Sequence, residues 1–257
     1  AARKQSAKAQ RNRDRSDRDD PMEGRMKKTK IEWCDSTWNP VTGCLHGCEY
    51  CYARAMTKRF PAVYPRGFDP TIYYARLDQY DNCKGCNIFV CSMGDLFGDF
   101  ISDEWIEKVF DKCKQNQQHN YLFLTKNPFR YEKLHMNGQL PKLPNMWYGF
   151  SMTDNTCKQC WIDSQYNTFI SVEPLLGNLD QNMLDYLAAT NWVIIGAETG
   201  RRKNKIIPKK EWINKIVKHC CVNKVPVFMK NSLIPIIGEE NMLREFPVSL
   251  KNKGGKE

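Results

Sequence analysis

The run Gly43-Cys44-Leu45-His46-Gly47-Cys48-Glu49-Tyr50-Cys51-Tyr52-Ala53 carries three cysteines in a C-x3-C-x2-C spacing. It supplies three thiolates from one short loop and no fourth. Three soft sulfur ligands suit an iron–sulfur cube that keeps one iron open to another ligand. A closed structural zinc site takes four ligands, so a zinc reading would recruit His46 or a distant cysteine. Plain structural thiols are the third reading. The spacing therefore asks for a fold that gathers chemistry around this loop.

The rest of the chain bounds that fold. Of 257 residues, the first 25 alternate Arg, Lys, Asp, Ser and Gln and hold no large apolar side chain except Met22. Such a stretch cannot bury enough apolar surface to offset its ordering entropy, and it has no apolar signal or membrane segment. Residues 1–25 read as a disordered basic extension or an expression scar, and residues 26–257 as one domain. Residues 1–30 contain 11 Lys/Arg against 5 Asp/Glu, so they hold +6 of the formal +10. Residues 31–257 hold 28 basic and 24 acidic side chains, and that near balance argues only weakly for a polyanionic partner. Twelve cysteines without an export signal point to a reducing cytoplasm and to metal or redox chemistry, not a disulfide framework.

From residue 86 onward, short apolar runs alternate with helical ones. Strands are expected at 87–92, 121–125, 146–151, 168–172, 191–196 and 225–230, and helices over 103–118, from about Pro128, and over 209–221. Short strands that are apolar on both faces, each followed by a crossover, predict an α/β fold with a parallel sheet. Right-handed crossovers in sequence order curl it into a partial or complete β/α barrel. A doubly wound open sheet is the alternative, but no Gly-rich phosphate loop follows a first strand. Sites in such sheets form at the C-terminal strand ends. Those ends carry Ser92-Met93-Gly94-Asp95, Thr125-Lys126-Asn127, Ser151, Glu173 and Glu198. Trp33, Trp38, Tyr50, Tyr52 and Phe97 are available to wall a cup there.

The three-cysteine loop resembles the one by which radical S-adenosylmethionine (SAM) enzymes are recognised. The segments Ile31-Glu32-Trp33-Cys34-Asp35-Ser36-Thr37-Trp38-Asn39-Pro40-Val41-Thr42-Gly43-Cys44, Ser92-Met93-Gly94-Asp95-Leu96-Phe97 and Leu124-Thr125-Lys126 extend the likeness. So do Ser171-Val172-Glu173-Pro174-Leu175-Leu176-Gly177 and Ile195-Gly196-Ala197-Glu198-Thr199-Gly200. Together they resemble, from about Lys30 to Leu233, an uncharacterised phage- and prophage-associated radical-SAM-like family remotely similar to spore photoproduct lyase. The resemblance implies a radical SAM β/α barrel with a 4Fe-4S cluster on Cys44, Cys48 and Cys51, and SAM on its open iron. It places Tyr50 beside adenine, Ser92 to Asp95 as the turn facing the SAM amino group, and Ser151 and Glu173 toward ribose or methionyl carboxylate. Gly196 to Gly200, including Glu198, would lie against adenine, and Lys126 would pair with the SAM carboxylate or make a sheet-end salt bridge. Cys91 adjoins the turn and is a candidate hydrogen-atom donor.

Two C-x2-C pairs, Cys83/Cys86 and Cys157/Cys160, remain. Jointly they would make a second metal site, for zinc or a second iron–sulfur cluster. The barrel reading opposes this, since one pair precedes a strand and the other follows one. The expected function is a cytoplasmic radical SAM enzyme served by a reductase, flavodoxin or ferredoxin as electron donor, with no membrane contact. Analogy favours a nucleic acid or nucleotide substrate over a peptide or small metabolite. The hypothesis from another class is a non-catalytic zinc or iron–sulfur protein using the same three thiols.

Overall fold

The computed structural model describes residues 28–157, 161–200 and 202–251. The expected 1–25 extension lies outside them, as does Cys160. In chain order the elements begin with β1 (Ser36–Trp38), β2 (Val41–Thr42), α1 (Tyr52–Arg59), β3 (Thr71–Ile72) and β4 (Asn87–Val90). There follow α2 (Asp103–Gln115), β5 (Asn120–Thr125), α3 (Phe129–Met136), β6 (Met146–Ser151) and β7 (Asn167–Val172). The last are α4 (Gln181–Ala188), β8 (Val193–Ile195), α5 (Lys210–Val222), β9 (Val227–Met229), α6 (Ile234–Ile237) and α7 (Val248–Lys251).

Seven strands form one sheet in the order β1-β4-β5-β6-β7-β8-β9, every neighbouring pair parallel. The sheet curls into a half-barrel, so of the two barrel forms expected it is the partial one that folds. β2 and β3 make a separate antiparallel ribbon. Strand β1 and helix α4 are additions to the expected elements. The C-terminal strands are shorter than their apolar runs, with Val193–Ile195 inside 191–196 and Val227–Met229 inside 225–230.

Side chains alternate across a strand, and this sheet uses both faces. On the outer face, Ile88, Val90, Tyr121, Phe123 and Tyr148 pack under α2 and α3, which contribute Ile106, Val109, Phe110, Tyr131 and Leu134. Farther along, Ile170, Val172, Val193, Ile195 and Val227 pack with Leu184 of α4 and Ile213 of α5. Helix α2 begins where Ser102 Oγ accepts the Trp105 N–H, with Asp103 and Glu104 complementing the dipole of the first turn. The inner face takes the alternate residues: Phe89, Leu122, Trp147, Phe169, Ile194 and Phe228, with Trp33 and Trp192 among them. Burial of side chains of this size stabilises by about 1.5–3 kcal/mol each and makes an apolar floor. Gly149 lets that floor close, because a Cβ there would sit 2.4 Å from the Phe169 ring.

Candidate active site

Following the inner face toward the C-terminal strand ends, the rows of β5 to β9 turn polar. Leu122 and Leu124 lead to Lys126; Trp147 and Gly149 to Ser151; Phe169 to Ser171 and Glu173; Ile194 and Gly196 to Glu198; Phe228 to Lys230. The upper residues of these rows border a cavity of about 360 Å³ whose floor is Trp33, Phe89 and Leu124. Strand parallelism brings the polar ends to one level, which is how Glu173 and Lys230, 57 positions apart, share a wall.

Cys44, Cys48 and Cys51 all line this cavity. A backbone bridge and a side-chain cap hold their loop. Gly43 pairs with Gly94 across a short parallel bridge, its N–H donating to Met93 O at 2.9 Å. Gly43 has φ +89°, and a Cβ would stand 2.3 Å from Asp69 O, so no other residue fits the entry to the loop. At the exit, Cys51 is the N-cap of α1, with Sγ accepting the Arg54 N–H at 3.4 Å. Cys44 Sγ accepts the His46 N–H at 3.5 Å. Burial pushes the Cys44 thiol up to about 11, a cost that a bound metal would offset by holding the thiolate. Among the described residues, no three His, Cys, Asp or Glu side chains converge on one point as a single metal ion requires. Thiols spread around a cavity suit a cluster that offers each its own iron. His46 does not supply a fourth ligand through Nε2, which lies 2.8 Å from Asp95 Oδ2.

Asp95 borders the cavity and is also bound into the fold. Its carboxylate is buried and receives four contacts: Thr125 Oγ1 at 2.7 Å and Phe97 N at 3.0 Å on Oδ1, Lys126 N at 2.9 Å and His46 Nε2 at 2.8 Å on Oδ2. Four contacts fill the acceptor sites of a carboxylate, so Asp95 ties β5 to the cysteine loop at the cavity wall. Asn39, which sequence reading passed over, sets the turn after β4: its Oδ1 accepts Met93 N at 2.8 Å and Ser92 Oγ at 3.2 Å. Tyr52 donates its hydroxyl to Ser92 O from α1. Ser92 and Gly94 border the cavity, whereas Met93 is buried and contributes only backbone. Lys126 Nζ stands 5.3 Å from the centre of the Tyr50 ring, and both line the cavity. Burial raises the Tyr50 phenol and the Lys126 charge opposes the rise.

On the other wall, Glu173 pairs with Lys230, and Gly196 sits close enough that a Cβ would meet Glu173 Cγ at 3.0 Å. Glu198 accepts Nε and Nη2 of Arg202, both at 2.7 Å, which holds its carboxyl below the usual range. Arg202 Nη1 continues to Glu49 Oε2 at 3.0 Å, joining this wall to the cysteine loop. Ser151, Ser171, Glu173 and Glu198 all border the cavity. Ser171, Lys230 and Arg202 are additions, and the first two follow from counting every second residue along a strand.

The remaining candidate residues divide between the cavity and the core. Cys91 is 2% exposed in the outer core, at φ 55°, and does not border the cavity, so its thiol is not placed to donate a hydrogen atom there. Burial pushes that thiol up to about 12. Trp38 and Phe97 also belong to the outer core, whereas Trp33, Tyr50 and Tyr52 do wall the cavity. Cys83 and Cys86 precede β4 and pack with the first core group, while Cys157 follows β6 and packs with the second. The described members of the two C-x2-C pairs thus stand at opposite ends of the sheet and share no site.

A family match decides kinship: the family described as protein of unknown function DUF5131 matches residues 28–234. The chain belongs to that family. No protein of curated function matches the sequence. Among solved structures, two variants of spore photoproduct lyase superpose with a TM-score of 0.51, one at 10% identity and one at 11%. Each alignment covers 80% of this chain and 78% of the lyase chain. At that identity the likeness establishes the shared fold. The family's match ends one residue after Leu233, so it takes in the cysteine loop, both walls and Lys230. No helix among the described residues is long and apolar enough to cross a membrane.

Proposed function

We propose that this chain is a radical SAM enzyme whose reaction chamber is the cavity ringed by Cys44, Cys48 and Cys51. The observation that carries the reading is the joint placement of three thiols, with the imidazole between them engaged by Asp95, at the C-terminal ends of a parallel sheet. When bound, a 4Fe-4S cluster would supply one-electron cleavage of SAM and, through it, hydrogen-atom abstraction from a substrate.

The chain's own part is binding, orientation and exclusion of water. Backbone N–H groups of His46 and Arg54 hydrogen-bond the Cys44 and Cys51 sulfurs and so disperse charge on a thiolate ligand. Lys126 and Lys230 put cations on opposite walls, where they suit a carboxylate or phosphate ester. Ser151, Ser171 and Glu173 offer the hydroxyls and carboxylate that a ribose or an α-amino group would use. Trp33, Phe89 and Leu124 keep the base of the chamber dry, which protects a reactive carbon centre. The spore photoproduct lyases of the same fold act on a spore photoproduct, by their name, and this favours a nucleic acid or nucleotide as substrate. In this reading residues 26–257 act as one cytoplasmic domain, fed electrons by a reductase, flavodoxin or ferredoxin.

The test is anaerobic reconstitution followed by iron and sulfide analysis, then reduction with dithionite in the presence of SAM and assay of 5′-deoxyadenosine. The expected result is about four iron and four sulfide per chain, and 5′-deoxyadenosine that disappears in Cys44→Ala. Zinc in place of iron, or full SAM cleavage by Cys44→Ala, would overturn the reading.

A further inference from the structure

The formal charge of residues 31–257 is close to balanced, yet it is not evenly spread. Residues 50–68 contain four Arg/Lys and residues 202–210 contain five, and neither segment has an Asp or Glu. Outside them, residues 31–257 hold 19 basic side chains against 24 acidic ones, so the remainder is net negative. Both segments are anchored at the cavity walls. The first begins with Tyr50 to Ala53 in the cavity wall and returns to it at Phe68. The second starts at Arg202, which is hydrogen-bonded to Glu198 in the opposite wall and to Glu49 in the cysteine loop. Lys58, Arg59, Lys203 and Lys205 are exposed, and so are the aromatic residues Tyr52 and Phe60, at 54% and 41%, with the Arg59 guanidinium 5.4 Å from the centre of the Phe60 ring.

We propose that these two segments form one binding track for single-stranded nucleic acid, with phosphates on Lys58, Arg59, Lys203 and Lys205 and a base stacked on Phe60. Cations alone would suit any polyanion. Exposed aromatic residues interleaved with them suit a strand whose bases are unpaired, since each base offers a π-face to stack. A duplex keeps those faces covered, and an atom inside a stacked helix could enter the cavity only after a nucleotide is extruded. The track deepens the proposed reaction in naming what lies across the chamber. Its binding requires no turnover, so the two readings fail separately.

The experiment is fluorescence anisotropy of the full chain, reconstituted as above, with a labelled 20-nucleotide oligothymidylate at rising salt. Binding should weaken with salt at a slope of about 0.7 per phosphate contact. Lys58→Glu/Arg59→Glu and Lys203→Glu/Lys205→Glu should each lower affinity tenfold or more and flatten that slope. Lys142→Glu/Lys218→Glu, an equal charge change at the other end of the sheet, should change it less than twofold. Phe60→Leu should weaken binding severalfold and leave the salt slope unchanged. Absence of binding would overturn the track whatever the 5′-deoxyadenosine assay gives. So would an equal loss in Lys142→Glu/Lys218→Glu, which would reduce the effect to net charge. Competition by polyglutamate or a 20-base-pair duplex as strong as by unlabelled oligothymidylate would also overturn it, as would an unaltered Phe60→Leu.

Discussion

Two cysteine patterns in this chain look alike on paper and end up differently in space. Cys44, Cys48 and Cys51 sit in a loop clamped between Gly94 and helix α1, and all three face one cavity. Cys83 and Cys86 enter a strand at the opposite end of the sheet, and Cys157 leaves another strand at the cavity's end but packs into the outer core. Spacing within a motif proposes a ligand set; the direction of the strands around it decides whether the set can meet.

The largest expected effect would break that contrast outright. Cys48→Ala should lower reconstituted iron from about four per chain to less than one, whereas Cys83→Ser/Cys86→Ala should keep the full complement. Iron analysis decides, and a loss in the second variant would mean that the distant pair takes part.

The next prediction sharpens the role of the clamp. Asp95→Ala would strip the acceptor from the Thr125 hydroxyl and from two N–H groups, Phe97 and Lys126. Leaving buried donors unmatched should cost on the order of 3 kcal/mol in urea unfolding. Glu173→Gln removes one member of a partly exposed ion pair and should cost less than about 1 kcal/mol. If the two losses were equal, Asp95 would not be the structural centre described.

Glycines offer a smaller contrast of the same kind. Gly149→Ala should cost about 2 kcal/mol, because the added methyl meets a ring locked in the floor. Gly47→Ala faces open space and only the strain of φ +74°, about 1 kcal/mol. Thermal unfolding of the pair separates crowding from backbone strain.

The smallest effect lies in pH. Arg202 holds the Glu198 carboxyl below its ordinary value of 4.5, so the stabilisation belongs to the ionised form. It is present above that value and lost as pH falls through the lowered folded-state value. The stability gap between the native chain and Arg202→Gln should therefore be full at pH 7 and close toward pH 3. A gap that stayed constant would assign Arg202 to packing alone.

The β/α alternation from residue 86 onward was legible because each strand is an apolar run bounded by polar turns, a local signal. Strand β1 was not: Ser36-Thr37-Trp38 is short and two-thirds polar, and it becomes a strand only by pairing with Ile88 to Val90, some 50 residues away. The cysteine loop and the strand-end residues were legible for the same local reason. What escaped were the links made through space, His46 with Asp95 and Arg202 with Glu49, 49 and 153 residues apart. Asp95 entered the sequence reading only as part of the turn Ser92 to Asp95, because nothing in its neighbours' sequence reveals that four contacts surround its carboxylate. Lys230 entered the sequence reading only as the end of the 225–230 strand, although it stands two residues after the inward Phe228.

Among the described residues seven strands are joined by six hydrogen-bonded ladders, and no ladder runs from β9 round to β1. There the chain leading into β1 leans across instead, with Glu32 Oε2 accepting Asn231 N at 2.7 Å and Arg244 Nη1 at 3.0 Å. At the other end of the sheet Asn87 Nδ2 donates to Leu250 O at 2.8 Å and Asn120 Nδ2 to Ser249 O at 3.0 Å, lacing the C-terminal turn back onto β4 and β5. The gap is thus bridged by side chains and a buried cluster of Trp33, Phe228 and Leu250, where its neighbours are joined by backbone. A sheet closed in this way can change its bridging residues one at a time without shifting the register of any strand.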